Sequence, residues 1–163
     1  MSFWKNNSTD PSRKFRFQII GGDQWYWVKS VDKPSYEVNT NEYLLTNHKF
    51  KYPGVLTWND ITITMVDPGA IVSKIDNYLI KSGYSTPKKD TDSGIEKNGY
   101  DGEGGVLQIQ QLGSTGEPIE DWHLYGAFIK SANYGSLEYS SDELVEVQMV
   151  ISYDYATISA ESE

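Results

Sequence analysis

Residues 144–155 read Leu144-Val145-Glu146-Val147-Gln148-Met149-Val150-Ile151-Ser152-Tyr153-Asp154-Tyr155. Apolar or aromatic residues stand at every second position of this segment from residue 145 onward. The positions between them hold Glu146, Gln148, Ser152 and Asp154, interrupted by Val150. A period of two is typical of a β-strand with one buried face. The segment therefore predicts a long strand that presents an apolar face to a core and a polar face away from it.

The same alternation recurs through much of the chain. It appears at residues 15–19 and 25–31, on either side of turn-forming residues at 21–24, which predicts a first hairpin. Weaker strand signals run through residues 35–57. Further strands are predicted at 58–66, 105–112 and 122–130. We therefore expect a mainly β fold, an antiparallel β-sandwich or barrel.

One α-helix is predicted among these strands. Asp67 is a favourable N-cap, and Pro68 suits the first helical position, where a backbone N–H is not needed. Gly83 is a suitable residue to end the helix in the left-handed conformation. Between them, an apolar stripe recurs at helical spacing: Ile71, Ile75, Tyr78 and Leu79.

The length of 163 residues indicates a single domain, residues 1–163. Within it we expect an N-terminal extension at 1–12, a polar insertion loop at 83–105 and a C-terminal tail at 156–163. Cysteine is absent, which excludes disulfides, cysteine-ligated zinc and thiol catalysis. The sequence has no apolar leader segment and no apolar run long enough to span a membrane, so no membrane partner is expected.

The net charge of −9 is concentrated in the last third of the chain. Residues 1–112 carry 13 basic and 13 acidic side chains, whereas residues 113–163 carry 10 acidic side chains and one base, Lys130. Proteins that bind nucleic acid tightly neutralise phosphates with clustered Lys and Arg. This distribution disfavours tight nucleic-acid binding and otherwise indicates a solvated acidic surface.

No motif in the sequence indicates catalysis, a cofactor or a metal. His48 and His123 are far apart and belong to no metal-ligand or triad pattern. The segment 90–94 resembles the start of a calcium loop, but the sixth position holds Ile95 where glycine is required. The glycine-rich segment 99–105 lacks the Lys and Ser/Thr of a phosphate loop. We therefore expect no catalytic residue, no cofactor and no metal site.

A carbohydrate-binding sandwich or glycosidase is the remote alternative. It would need an exposed face of tryptophans and a pair of carboxylates, one of them with a raised pKa. Candidate tryptophans are Trp25, Trp27, Trp58 and Trp122, and candidate carboxylates are Glu117, Glu120, Asp121, Glu138, Asp142 and Glu143. Sequence spacing favours no specific pair, and such tryptophans are more often core or interface residues.

Several strings, in order, resemble the tail tube proteins of contractile-tailed bacteriophages, a family shared with the tubes of contractile injection systems. The resemblance covers residues 13–156, with the helix between the second and third strings. The strings are Phe15-Arg16-Phe17-Gln18 leading to Val31-Asp32-Lys33-Pro34, Trp58-Asn59-Asp60-Ile61-Thr62-Ile63-Thr64, Glu120-Asp121-Trp122-His123-Leu124-Tyr125-Gly126-Ala127-Phe128, and Tyr139-Ser140-Ser141-Asp142-Glu143-Leu144-Val145 leading to Tyr153-Asp154-Tyr155.

The resemblance implies a structural protein and no enzyme. Six copies would form a ring in which each subunit adds four strands to one continuous barrel, and stacked rings would form a tube inside a contractile sheath. The implied partners are further copies of the chain, the sheath protein, and the baseplate and tail terminator proteins. DNA would pass through without specific binding, and the tube would belong to the virion tail after assembly in the bacterial cytoplasm. A baseplate-proximal or injection-system tube subunit is the alternative.

Two surfaces are candidates for this assembly. The arm at Tyr43–Phe50 is too apolar for an unprotected loop and is our candidate for contact between rings; the alternative is a local hairpin packed on its own subunit. Its residues are Tyr43, Leu44, Leu45, Thr46, His48 and Phe50. The polar face of the last strand, Glu146, Gln148, Ser152 and Asp154, is our candidate for an acidic channel wall that repels phosphates. The same face could instead lie against the sheath.

Overall fold

The structure is a computed structural model, and it describes residues 13–21, 23–24, 27–69, 71–81 and 106–160. These residues form eleven strands and one helix. The strands are β1 (Phe17–Gly21), β2 (Asp23–Gln24), β3 (Val28–Val31), β4 (Tyr36–Leu45), β5 (His48–Trp58), β6 (Ile61–Val66), β7 (Leu107–Leu112), β8 (Pro118–Tyr125), β9 (Phe128–Asn133), β10 (Glu146–Ser152) and β11 (Tyr155–Ala160); the helix is α1 (Ile71–Lys81). This helix is too short and too polar to cross a membrane.

The strands form three antiparallel sheets. A five-stranded sheet has the order β11-β8-β7-β1-β2, and a four-stranded sheet has the order β3-β6-β10-β9. Strands β4 and β5 pair with each other in a third, two-stranded sheet. The prediction of a mainly antiparallel β fold with one helix is thus confirmed.

One hydrophobic core joins the two larger sheets. Alternate residues of β6 and β10 are buried, as the period of two predicted. The four-stranded sheet contributes Ile61, Ile63, Met65, Val147, Met149 and Ile151, and the five-stranded sheet contributes Ile19, Leu107, Ile109 and Leu124. Burial of one such side chain stabilises the fold by about 1.5–3 kcal/mol.

Truncation of a central core residue is expected to destabilise the subunit strongly. Ile63 has no solvent-exposed surface, so Ile63→Ala leaves a cavity and should lower the free energy of unfolding by about 2–5 kcal/mol. Chemical denaturation monitored by circular dichroism measures this loss. Val55, which is 74% exposed on β5, supplies the control: Val55→Ala should change the stability by less than about 0.5 kcal/mol. Equal losses in both variants would contradict this assignment of the core.

The predicted first hairpin is wrong in its second strand. Strand β1 does pair with a following antiparallel strand, but that partner is the two-residue strand β2, with Gly21 opposite Asp23. The segment expected to continue the hairpin becomes β3, which pairs with β6 in the other sheet. Val28 and Val31 pack against the core from there. Alternation identifies a strand and its apolar face, but it does not identify the neighbouring strand.

The predicted long strand at 144–155 and the tail at 156–163 are also corrected. Strand β10 ends at Ser152, and β11 begins at Tyr155 in the five-stranded sheet, paired with β8. The Asp154 backbone N–H donates to the carbonyl of Tyr125 at 2.9 Å, which fixes the turn between the sheets. Tyr153 at this corner is still buried. The alternation therefore continues through a change of sheet. Residues 161–163 of the predicted tail lie outside the described residues.

The helix begins later than predicted. Asp67 accepts a hydrogen bond from the Gly69 backbone N–H at 2.7 Å and forms a turn that precedes the helix. Gly69 has φ +86°, a left-handed value that an α-helix does not accommodate, so Pro68 is not a helical residue. Ile75 of the predicted stripe is buried, whereas Leu79 is 39% exposed. The Tyr78 side chain, Gly83, and the predicted segments 1–12 and 83–105, with the loops at 90–94 and 99–105, lie outside the description.

Candidate assembly site

The predicted arm is the tip of a long two-stranded hairpin. Strands β4 and β5 pair from Tyr36 opposite Trp58 to Leu45 opposite His48, and Thr46 and Asn47 form the turn. Thr46 has φ +56°, as tight two-residue turns between strands require. Every residue of β4 is exposed. The tip thus pairs as a local hairpin, and its large side chains are exposed in the described part of the subunit, so the contact between rings stays a prediction.

Each face of the tip has its own chemistry, because directly paired residues share a face. The aromatic face consists of Asn41, Tyr43, Leu45, His48, Phe50 and Tyr52, and the charged face consists of Glu42, Leu44, Lys49 and Lys51. On the aromatic face, the rings of His48 and Phe50 meet edge to face with centroids 4.7 Å apart. On the charged face, Glu42 lies 3.2 Å from the Lys49 ammonium and 4.0 Å from that of Lys51.

The base of the hairpin is attached to the core. The ring of Trp58 packs edge to face on Tyr36, with centroids 5.3 Å apart, and lies 6.0 Å from the ring of the buried Tyr153. The Asn59 backbone N–H donates to the carbonyl of Ser35 at 2.9 Å. A fixed base and an exposed tip allow the hairpin to reach beyond its own subunit. With ten residues in β4, that reach is about 33 Å.

The four-stranded sheet has two open edges in the described part of the chain. Strand β3 pairs only with β6, and β9 pairs only with β10. Successive strands of this sheet alternate in direction, so β9 runs antiparallel to β3. A second copy related by rotation in a ring would therefore place its β3 antiparallel to the β9 of the first. Open edges of this kind are templates for pairing with another chain.

The predicted acidic face is uncharged at its centre. On β10, Gln148 lies between Thr64 and Asn133, and Val150 lies between Thr62 and Ser131. The remaining charge, Glu146, forms an ion pair with Lys29, and this hydrogen bond raises the pKa of the lysine.

Asp154, predicted for the same face, lies beyond β10 in the turn beside Gly126. At the other end of the sheet, Lys130 lies 2.5 Å from the Asp60 carboxylate and lowers its pKa. The four-stranded sheet therefore presents a neutral polar face, with its charged side chains in ion pairs at the two ends, and its place on a channel wall stays a prediction. Ser152 remains on this strand.

A polar cluster covers part of the five-stranded sheet. The Asp121 carboxylate accepts hydrogen bonds from the Gln108 amide at 2.7 and 2.9 Å and from the Gln110 amide at 3.1 Å, and His123 Nε2 lies 3.8 Å away. These are neighbours across paired strands, so the cluster satisfies half-buried polar groups within the sheet. His123 is thus a strand residue, as predicted. In the described ranges, no three acidic or histidine side chains are placed to hold a metal ion.

Of the residues considered for sugar chemistry, the tryptophans that the structure describes form no shared exposed face. Trp58 and Trp122 pack against the core, and only Trp27 of the described candidates is mostly exposed. Glu120 accepts a hydrogen bond from Lys33 at 2.7 Å, and this contact lowers the pKa of the carboxyl. A glycosidase acid needs a raised pKa, so the shift has the opposite sign.

No protein-family model matches the sequence, and no curated protein matches it significantly. Solved structures do match it over nearly the whole chain. A chain of the anti-feeding prophage tube-terminating cap aligns with a TM-score of 0.70 at 21% identity, over 98% of this chain and 99% of that one. The protein has the tail tube fold.

Two further structures extend this likeness of fold. A chain of the sheath–tube complex of an extracellular contractile injection system, called PVC, aligns with a TM-score of 0.72 at 19% identity, over 98% of this chain and 99% of that one. A chain of the anti-feeding prophage baseplate aligns with a TM-score of 0.68 at 10% identity, over 93% and 97%. The tail tube fold of the present chain is thus shared with proteins from different parts of contractile injection particles.

Sequence reasoning missed three parts of the candidate assembly site, namely the open edges β3 and β9 and the loop between β9 and β10. The loop, residues 134–145, carries large exposed apolar residues: Tyr134, Leu137, Tyr139 and Leu144. The sequence did contain a signal for this loop. Large apolar residues are mixed there with Gly, Ser and acidic residues at no regular spacing, and this mixture predicts a loop that exposes apolar side chains. The edges leave no such signal, because strand order is not encoded in a local pattern.

Proposed function

We propose that the protein is a tube subunit of a contractile particle. In the form we favour, it is the major tail tube subunit of a contractile-tailed phage, and stacked hexameric rings form the conduit for DNA ejection inside the sheath. The observation that carries the proposal is the four-stranded sheet with two open edges of opposite direction, next to an exposed hairpin. The tail tube fold supports it.

Ring closure follows from the open edges. Strand β9 of one copy pairs with β3 of the next, and repetition of this head-to-tail contact around an axis closes a barrel without edges. Closure removes the hazard that exposed edges pose in the isolated subunit. The exposed hairpin tip then makes the second contact, between rings, through Tyr43, Leu44, Leu45, Thr46, His48 and Phe50.

The neutral polar face lines the channel in this proposal. Its described members are Gln148, Ser152 and the Lys29-paired Glu146, together with Thr62, Thr64, Ser131 and Asn133. Phosphates bind to proteins chiefly through unpaired Lys and Arg. Lys29 and Lys130 lie at opposite ends of this face. Each forms an ion pair with a carboxylate, Lys29 with Glu146 and Lys130 with Asp60. DNA would therefore pass without being retained.

Addition of positive charge to this face is expected to make the tube retain DNA. Gln148→Lys would place one unpaired lysine per subunit, and so a ring of lysines, on the proposed wall. Tubes of this variant should bind short single-stranded DNA in a sedimentation assay at low salt, and the binding should fall steeply as salt is raised. Wild-type tubes should bind little. Glu117→Lys, an exposed turn position away from the sheet, is the control, and equal DNA binding by that variant would contradict the assignment.

A second candidate is a tube, cap or baseplate-proximal subunit of an injection system. The observation in its favour is that the aligned structures come from injection particles, including a tube-terminating cap and a baseplate. A cap or baseplate subunit would form single rings, whereas a repeating tube subunit would stack. The partners in either case are further copies, a sheath protein, a baseplate and a terminator, within a particle assembled in the bacterial cytoplasm.

Electron microscopy of the purified full-length protein tests the proposal. We expect six-fold rings at low concentration and tubes at high concentration. Single rings at all concentrations would support the cap or baseplate-proximal form instead. A strict monomer across concentration and salt would contradict both and favour the carbohydrate-binding alternative.

A further inference from the structure

The loop between β9 and β10 exposes several large apolar side chains. Leu137 is 87% exposed, Leu144 is 73% exposed, and Tyr139 is fully exposed. The loop is held at both ends: the Gly135 N–H donates to Asn133 Oδ1 at 3.0 Å, and the Asp67 N–H donates to the carbonyl of Val145 at 2.9 Å. A concavity of about 1000 Å³ is lined by Lys29, Leu137, Tyr139, Glu143, Leu144 and Glu146, among others.

This loop and the hairpin lie at opposite ends of the four-stranded sheet. The loop joins the end of β9 to the start of β10, where Glu146 pairs with Val66. The hairpin follows Val31, the last residue of β3, and precedes Ile61, the first residue of β6, which pairs with Ile151 near the end of β10. Rings that stack in one orientation bring opposite ends of their subunits together. The hairpin of one ring therefore meets the loop end of the next.

The charges of the two surfaces are complementary. The loop carries Glu138, Asp142 and Glu143 and no basic residue, while the nearby Lys29 is already paired with Glu146. At the hairpin tip, Lys49 and Lys51 share the single carboxylate of Glu42. The charged face of the tip is thus left with a net positive charge, opposite to the loop. Both surfaces also expose large apolar side chains that a contact would bury.

We propose that the hairpin tip of one copy docks in the concavity of the β9–β10 loop of a second copy in the adjacent ring. Leu137, Tyr139 and Leu144 would cover apolar residues of the tip, and Lys49 and Lys51 would meet the acidic side chains of the loop. This inference rests on the proposed tube function and specifies the receiving surface. The hairpin tip exposes large side chains on both of its faces. A concave surface, such as that of the β9–β10 loop, can contact both faces at once.

Charge reversal and its compensation test the docking in the full-length protein. The hairpin variant carries Lys49→Glu and Lys51→Glu, and the loop variant carries Glu138→Lys and Asp142→Lys. Each should raise the protein concentration needed for tubes at least about tenfold, because like charges then face each other. The variant with all four substitutions should recover most of the tube mass in the pellet after ultracentrifugation. Rings should persist throughout, and Glu117→Lys should form tubes normally.

Each other outcome has a definite meaning. If the wild type forms tubes and the loop variant forms them equally well, the loop is not the receiving surface, although the tube function stands. The docking is also overturned if the variant with four substitutions assembles no better than either parent. If the wild type forms neither rings nor tubes under any condition, the proposed function itself is wrong and the docking falls with it.

Discussion

Leu45→Asp is expected to abolish the stacking of rings into tubes while each ring remains intact. Leu45 lies at the extreme tip of the hairpin, paired with His48 and 53% exposed in the free subunit. In a stacked tube its side chain would be buried, and the substitution would replace that burial, worth about 1.5–3 kcal/mol, by an unpaired carboxylate. Six copies of the contact between each pair of rings multiply the loss. Tube mass in sedimentation and in negative-stain images should fall to background.

A control in the same hairpin separates assembly from folding. Thr57→Asp places the same carboxylate at an exposed position on β5, near the base, and should leave tubes unchanged. The stability of the Leu45→Asp subunit should lie within about 0.5 kcal/mol of the wild type, because the residue is exposed there. Normal tubes from Leu45→Asp would exclude the tip from the contact between rings. Loss of rings as well as tubes would show that the hairpin acts in ring closure.

The second large effect is expected from Lys130→Pro, which should prevent rings from forming. Lys130 lies on the edge strand β9, where the register shifts between Ser131, opposite Val150, and Ile129, opposite Ile151. Lys130 has no Cα partner on β10 at this irregularity. Because edge strands and bulges are the positions of a sheet where proline occurs, we expect the isolated subunit to tolerate a proline there. Proline has no N–H and does not continue a ladder with another strand. Each ring contact should lose about 1–3 kcal/mol for an unmade hydrogen bond.

Lys130→Ala is the matched variant. It removes the same ion pair with Asp60, an exposed contact worth at most about 1 kcal/mol, but keeps the backbone N–H. Mass photometry should show six-fold rings for the alanine variant and monomers for the proline variant. Thermal unfolding should show both subunits folded. If both variants form rings, β9 does not pair between copies; if both fail, the effect belongs to the side chain.

The sequence predicted what depends on local pattern. The buried alternation of Ile61, Ile63 and Met65, the single helix and the apolar hairpin tip all follow from the spacing of side chains along a few residues. These features were found because burial acts on each strand separately. The resemblance to tail tube proteins likewise rested on short sequence segments, taken in their order along the chain.

The errors arose where the chain changes sheets. Val28 belongs to β3, which pairs with β6 in the four-stranded sheet and not with β1. Tyr153 extends the alternation of β10 through the turn that leads to β11, which pairs with β8 in the five-stranded sheet. In both places the apolar residues remain buried in the core while the hydrogen-bonding partner strand changes. The alternation of apolar and polar residues therefore does not reveal the change of sheet. The charge on the polar face of β10 also differs from what the composition suggests. Glu146 is paired with Lys29 and Asp154 lies beyond the strand, so the net charge of residues 113–163 does not describe this face.

The four alternating strands of the sheet that we propose to close the barrel have a consequence for ring size. An even number of strands per subunit makes every junction between copies antiparallel, so five, six or seven copies would satisfy hydrogen bonding equally well. The even number of strands therefore does not determine how many subunits form the ring. The curvature of the sheet must determine it. The sheet contains two irregularities, in the pairing of β3 with β6 and of β9 with β10, and bulges increase local twist. The curvature produced by these two register shifts would then set the number of subunits and the diameter of the channel. The side chains that face the channel would not set it.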